Sequence, residues 1–330
     1  MSVTGFGGEG HGPGRGVMDR ERLPAGVTGF DDGDAYRLAV RAGLAGDAYA
    51  TVERRLTAGL LAVHGVPLDA QSTALLPADT AANAANADAA DTAASAHDAA
   101  PDADPAGDNA GGKGRCWDFV VGAGAASWFL APGPALVLFE RAEVSCHRRR
   151  SLLREEHHVV DATGAAGRVL CDRPGCACCG LATARARCGT AGYLWGIARA
   201  SVDAAVDRVK HRRQFGRAIG DNQAVAFRLA ALAARLEAFA RLGEAVAGRL
   251  PDTAEPLRHA SELLAACADL ALEASAESLH LHGADGLLVS ERPEDLHRRA
   301  LAFAVRHGSP SRLRIEPQAD GPAYGRGESR

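Results

Sequence analysis

The sequence predicts a mainly α-helical protein with a small β domain in its middle and a four-helix bundle at its C-terminal end. Three observations lead there. Between Arg187 and Ala304 apolar residues recur at helical spacing. Val225, Leu229, Leu232, Leu236, Phe239, Val246 and Leu250 advance in alternating steps of four and three, with Gly243 filling one seam position. Between Arg115 and Ala182 the repeat shortens to two, in Trp117-Phe119-Val121, Trp128-Leu130 and Leu136-Leu138, with turn residues between the runs. Ahead of both lies a low-complexity tract from Pro77 to Gly112, mostly Ala, Asp, Asn, Pro and Gly. It holds too few large apolar residues to offset its ordering entropy.

Taken in order, residues 1–30 are glycine-rich and expected to be disordered. Residues 31–76 form a short helical region, with Tyr36, Leu38, Val40, Leu44, Tyr49, Val52, Leu56, Leu60 and Leu61 at helical spacing. Asp31 to Asp34 can cap its start, and Gly65 with Pro67 can stop it. Residues 77–114 are a linker, and 115–183 the β domain. Residues 184–312 are the bundle. Its third helix starts near Asp252-Thr253 with Pro256 in the first turn, and a shorter fourth follows Pro293. Residues 313–330 are expected to be a flexible tail.

Composition excludes several classes of function. A net charge of −4 over 330 residues gives no global field for nucleic acid or an anionic membrane. The uncharged run from Phe119 to Phe139 could span a bilayer by length, but Gly122, Gly124, Pro132, Gly133 and Pro134 interrupt it. It reads as buried strands. The first residues lack the apolar core of a signal peptide, so a cytoplasmic setting is expected. Cys171, Cys176, Cys178 and Cys179 crowd together, but their spacing is not that of paired zinc ligands. They are read as incidental thiols on a loop, with no metal site.

One stretch carries chemistry. From Gly196 to Ala224 a helix ends in a basic turn, and a second helix begins at Asp221 or Asn222. The turn offers Arg208, Lys210, His211, Arg212, Arg213 and Arg217 with a ring at Phe215, a cationic knob suited to a phosphate or diphosphate. Its core reads Arg212-Arg213-Gln214-Phe215-Gly216, then Asn222-Gln223-Ala224. This resembles the signature of acyl-CoA dehydrogenases, in which a helix ends in Arg-Lys-Gln-Phe-Gly followed by Phe-Gln-Ala. A second stretch, His280-Leu281-His282-Gly283-Ala284-Asp285-Gly286, is similar to that family's Gln-Ile-His-Gly-Gly-Tyr-Gly.

The resemblance implies a truncated N-terminal helical domain, a β middle domain against which a flavin rests, and the C-terminal bundle. It implies FAD held by Arg212, Gln214, Phe215, Gln223, His280, Gly283 and Ser309. Asp285, an acid foreign to the motif, is expected to sit unfavourably near a diphosphate. The family's reaction removes a proton α to a thioester, and its base is the glutamate of a Tyr-Glu-Gly-Thr-Ser turn. An ungapped alignment from Gly286 reaches Arg306-His307-Gly308-Ser309-Pro310, so His307 stands at the base position. A second subgroup places its glutamate one residue before an arginine on the first bundle helix. That arginine is Arg187 here, and Ala186 precedes it. Neither position carries a carboxylate.

With Arg187 and Gly308 at substrate-facing positions, an acyl-CoA is the expected substrate and electron-transfer flavoprotein a candidate partner. Three readings follow. The chain is the base-lacking half of a hetero-oligomer with a catalytic paralogue, a divergent enzyme using His307, or a non-catalytic helical assembly protein. A homo-oligomer remains open beside the hetero-oligomer.

Overall fold

The computed structural model describes residues 32–46, 49, 52–53, 57, 61, 73–75, 115–131, 136–150, 155–171, 177–253, 255–289 and 291–319. The expectations for residues 1–30, 77–114 and 320–330, for Cys176 and for the Pro132-Pro134 connection fall outside these residues.

Helix α1 (Asp32–Ala45) is the first element among the described residues. Strands β1 (Thr73–Leu75), β2 (Cys116–Val121), β3 (Trp128–Ala131), β4 (Leu136–Glu140), β5 (Ser145–Arg149), β6 (His157–Asp161) and β7 (Arg168–Cys171) follow. The bundle comprises α2 (Ala177–His211), α3 (Gln223–Arg249), α4 (Pro256–His282) and α5 (Arg292–Ala304), with α6 (Pro310–Ala319) packed behind α4. A two-stranded hairpin, β8 (Arg213–Gln214) and β9 (Arg217–Ala218), joins α2 to α3.

The strands make two sheets, one in the order β1-β3-β4-β7 and one in the order β2-β6-β5. Alternate residues of the four-stranded sheet enter different cores. Phe129, Val137 and Phe139 pack with Trp117, Val120 and Val160 of the other sheet. Leu130, Leu136 and Leu138 pack with the helices. A sheet covered on both faces needs apolar residues at every position. That is the physical reason for the uncharged run between Phe119 and Phe139. No helix among the described residues is long and apolar enough to cross a membrane.

Four details differ from the sequence reading. β1 lies in the stretch read as helical and pairs in parallel with β3, a partner more than fifty residues away. Such a short strand has no period of its own to detect. α2 begins at Ala177, ahead of the expected boundary at 184. Cys178 and Cys179 therefore fall in its first turn rather than on a loop. Among the described residues no cluster of metal-ligating side chains forms. Finally, α6 carries regular structure to Ala319, through residues expected to be tail. Leu313 on α6 is fully buried, and Arg314 pairs with Asp269 on α4.

α2 is the axis of the molecule. Most of its residues from Leu181 to Ala198 are buried, and it is rich in Ala, Gly and Thr. Small residues let α1 approach to backbone contact. A Cβ on Gly43 of α1 would lie 2.0 Å from the Tyr193 carbonyl oxygen, and one on Gly196 would lie 2.3 Å from that of Val40. The crossing is pinned by a buried ion pair, Asp32 to Arg185 at 2.6 Å, and the end of α1 is tied to α5 by Arg292 donating to the Leu44 carbonyl at 2.7 Å. Gly243 on α3 serves the same contact, since a Cβ there would collide with the Tyr36 hydroxyl.

This geometry predicts opposite outcomes for two similar substitutions. Gly43→Ala should lower stability by about 3 kcal/mol, because rigid backbone stands where the methyl must go. Gly248→Ala, on an exposed part of α3 with no atom within 4 Å of the new Cβ, should raise it by about 0.5–1 kcal/mol. Urea unfolding midpoints of the two variants measure both.

Candidate functional site

The C-terminal end of α2 projects beyond its core and carries Arg208, Lys210 and His211 in its last turn. The chain then folds back through β8 and β9, reversing at Phe215 and Gly216, both with positive φ. Gly216 adopts that conformation without strain; Phe215, at φ 49°, is held there with its ring fully exposed. Asn222 caps α3, its side-chain oxygen accepting from the Ala224 N–H at 3.1 Å. On the neighbouring helix, α4 ends at His282, and Gly283 turns the chain with φ 64°.

Between these ends lies a cleft of about 420 Å³, lined by Arg208, Arg212, Gln214, Arg228, His280 and Asp285 among others. Four of the sequence-predicted cofactor residues meet in it: Arg212, Gln214, His280 and Gly283. Phe215 stands clear of it at the hairpin tip, and Gln223 is exposed at the start of α3 without lining it. Asp285 does not stand as a bare negative charge. Arg208 reaches it at 2.7 Å and also donates to the His282 carbonyl at 3.3 Å. Arg228 pairs with Glu277 at 3.3 Å. The Arg212 guanidinium is exposed and has no side-chain partner among the described residues. Its charge is therefore available to a ligand. Arg228 lies outside the recognised motif, on α3, and only the helix pairing reveals it.

The remaining predicted residues are elsewhere. His307 follows α5 in a tight turn and is 4% exposed. Its Nε2 lies 2.9 Å from the Thr190 hydroxyl oxygen. That hydroxyl already donates to the Ala186 carbonyl at 3.0 Å, so the proton between the two side chains belongs to the imidazole. Nδ1 is then the bare nitrogen, buried without a hydrogen-bond partner among the described residues. Burial, followed by the charges of Arg306 and Arg187, holds the imidazole pKa well below its usual value. His307 is neutral, with a lone pair that faces protein rather than solvent.

Arg187 is also buried and donates to Ser261 at 2.6 Å. Gly308 turns the chain with φ 102°. Ser309 opens α6, its hydroxyl accepting from the Arg312 N–H at 3.3 Å. Around His307 is a set of polar residues that no motif announced. The Tyr49 hydroxyl bonds the same Thr190, and the Tyr49 backbone N–H donates to Glu155 at 3.0 Å. Glu155 pairs with Arg299, which also binds Asp295 and the Tyr193 hydroxyl. Arg306 pairs with Glu53 and donates to the Phe119 carbonyl at 3.0 Å. Phe119 offers that carbonyl because a bulge, with its φ at 66°, interrupts the pairing of β2 with β6.

An extended diphosphate cofactor fits the first site. The cleft offers an open guanidinium for charge-assisted hydrogen bonds, and its acid is already neutralised by Arg208. The second site is a closed polar core.

Comparison with known proteins agrees with the fold and with the motifs. Residues 175–314 match the family model for the acyl-CoA dehydrogenase C-terminal domain. Caffeyl-CoA reductase-Etf complex subunit CarC of Acetobacterium woodii is 29% identical over 123 residues, covering 37% of this chain and 32% of its own length. The 3-(aryl)acrylate reductase of Clostridium sporogenes is 32% identical over 123 residues, 37% of this chain and 33% of that protein. The matched part of the chain spans about a third of the length of these curated relatives. Among solved structures, butyryl-CoA dehydrogenase from Megasphaera elsdenii superposes with a TM-score of 0.55 at 17% identity, over 62% of this chain and 59% of that one. FkbI, of methoxymalonyl extender-unit biosynthesis, gives 0.65 at 16% identity, over 90% and 87%.

The buried imidazole predicts a pH signature. Its folded-state pKa is depressed, so on acidification the unfolded chain takes up the proton first, below about pH 6.5. Stability is then lost at about 1.4 kcal/mol per pH unit for this group until the folded pKa is reached. His307→Gln should make the slope of unfolding free energy between pH 6.5 and 5 shallower by about one proton. Urea titrations across that range measure it, and an unchanged slope would mean that the imidazole titrates freely in the fold.

Proposed function

Since the chain belongs to the acyl-CoA dehydrogenase superfamily through its C-terminal domain, we propose that it is the base-lacking subunit of a hetero-oligomeric flavin-dependent dehydrogenase acting on an acyl-CoA thioester. The observation that carries this reading is the contrast between its two sites. The cleft at the end of α2 presents an unpaired arginine to the outside. The position of the family's base holds a buried neutral imidazole.

In this proposal Arg212 and Gln214 hold the diphosphate of FAD, Phe215 reaches from the hairpin tip toward the partner subunit, and His280 and Gly283 complete the cleft. Gln223 and Ser309 are assigned to the cofactor's surroundings by resemblance alone. FAD, when bound, supplies the hydride acceptor for α,β-dehydrogenation. The proton α to the thioester goes to a carboxylate on a catalytic paralogue, since a general base must reach the proton it takes. The name of CarC, which ties that protein to an Etf complex, supports electron-transfer flavoprotein as the partner that carries electrons away. The setting we assign is the cytoplasm. A role for His307 as base, with Arg187 and Gly308 beside the substrate, is disfavoured because Arg187 and the imidazole are buried and Gly308 serves the turn.

The test is purification of the chain alone and with a paralogue that carries the glutamate. Alone it should be nearly colourless; together they should carry flavin and turn over acyl-CoA. Arg212→Ala should lower flavin occupancy of the complex by about 10–100-fold, the loss of one or two charge-assisted hydrogen bonds. Arg217→Ala, outside the cleft, should change it little. Equal effects from the two would point to a diffuse basic surface, and stoichiometric flavin in the isolated chain would overturn the division of labour.

A further inference from the structure

We propose that Tyr49 and Glu53 form a built-in stopper, closing the base position of this chain so that no acyl thioester reaches His307. The inference deepens the base-lacking reading and rests on it for the equivalence of His307 with the family's glutamate. Loss of a carboxylate alone would leave an inert but open site. The structure instead fills it.

Tyr49 is the body of the stopper. It is 1% exposed, and its ring packs against Phe303 and Tyr193, with centroids at 4.6 and 5.1 Å. Its hydroxyl shares Thr190 with His307, so ring and imidazole are fixed to one oxygen. Its backbone N–H is held by Glu155, on the approach to β6, and Glu155 is held by Arg299 of α5. The lower end is fastened by Glu53, whose carboxylate pairs with Arg306, the residue before His307. Arg306 also stands over the Tyr49 ring at 5.1 Å. Glu53, Arg306 and His307 are all buried. A buried ion pair whose partners come from distant parts of the chain is poor glue but specifies one arrangement. Here it fixes Glu53 against the turn that carries the base position.

Apart from Nδ1 of His307, which has no partner among the described residues, the polar side chains named here are committed to one another. A thioester entering at His307 would have to displace the Tyr49 ring and leave Arg306 or Glu53 without its partner. The closure belongs to the chain itself and needs no other subunit.

The experiment uses the full-length chain, with diethyl pyrocarbonate modification of histidines followed by mass spectrometry, and calorimetric titration with butyryl-CoA against free CoA. In the wild type, His307 should stay unmodified while the exposed His211 reacts, and butyryl-CoA should bind no more tightly than CoA. Tyr49→Ala should make His307 reactive and give butyryl-CoA an advantage of about tenfold or more over CoA, from burial of its alkyl carbons. Tyr49→Phe, which keeps the ring, should leave His307 protected. Glu53→Gln, which keeps the side-chain volume, should raise the reactivity of His307 if Tyr49→Ala does not fold. Wild-type modification of His307 at the rate of His211, or a butyryl-CoA advantage in the wild type, would overturn the proposal. So would a folded Tyr49→Ala protein with reactive His307 and no acyl preference. Turnover by the isolated chain with His307 still protected would sink the base-lacking reading and leave the stopper standing.

Discussion

A helix that is apolar or small on nearly every side must be covered on every side, and α2 imposes that constraint on the whole chain. α4, α3 and α5 cover it as a bundle, and α1 covers the flank that remains. The β domain is then placed by its four-stranded sheet, one face of which enters the same core through Leu130, Leu136 and Leu138. Both sites are consequences. The cleft forms where α2 outruns its cover and turns into the hairpin. The closed site forms where the cover from α1, the sheets and α5 converges on Thr190 and Tyr193.

The two sites differ in the state of their charges. At the cleft, arginines are exposed or half-exposed, and an exposed ion pair such as Arg208–Asp285 contributes little to stability while still setting the local potential. At the closed site, Arg306 and Glu53 are buried as a pair, and buried Arg299 pairs with the partly buried Glu155. Burial raises the Glu155 pKa while Arg299 opposes it, and burial pushes the Tyr49 and Tyr193 hydroxyls up. Those phenols remain neutral donors. Removing one member of such a pair costs about 3–5 kcal/mol, because the other is left charged in a dry place. The cleft has the properties of a binding surface, and the closed site those of a core.

The bundle was legible because its seam repeats over twenty-five residues: Leu229, Leu232, Leu236, Gly243 and Leu250 are all buried as the spacing requires. The cleft was legible because its residues belong to two contiguous motifs at helix ends. The polar core around His307 was not. Tyr49, Glu53, Glu155, Thr190 and Arg299 come from four separate parts of the chain, each on an element whose local pattern is satisfied without the others. Sequence spacing records which face of an element is buried. It does not record which distant side chain arrives to meet it, and β1 and Arg228 escaped notice for the same reason.

The crossing of α1 over α2 has a consequence for lineage. At Gly43 and Gly196 the two backbones touch, so neither position can acquire even a methyl group while the helices stay in place. Most core sites drift through compensating changes in volume, because a neighbour can shrink as a residue grows. A carbonyl oxygen cannot shrink. These glycines therefore act as a fossil record of the crossing. A descendant that replaces either must move α1 or discard it.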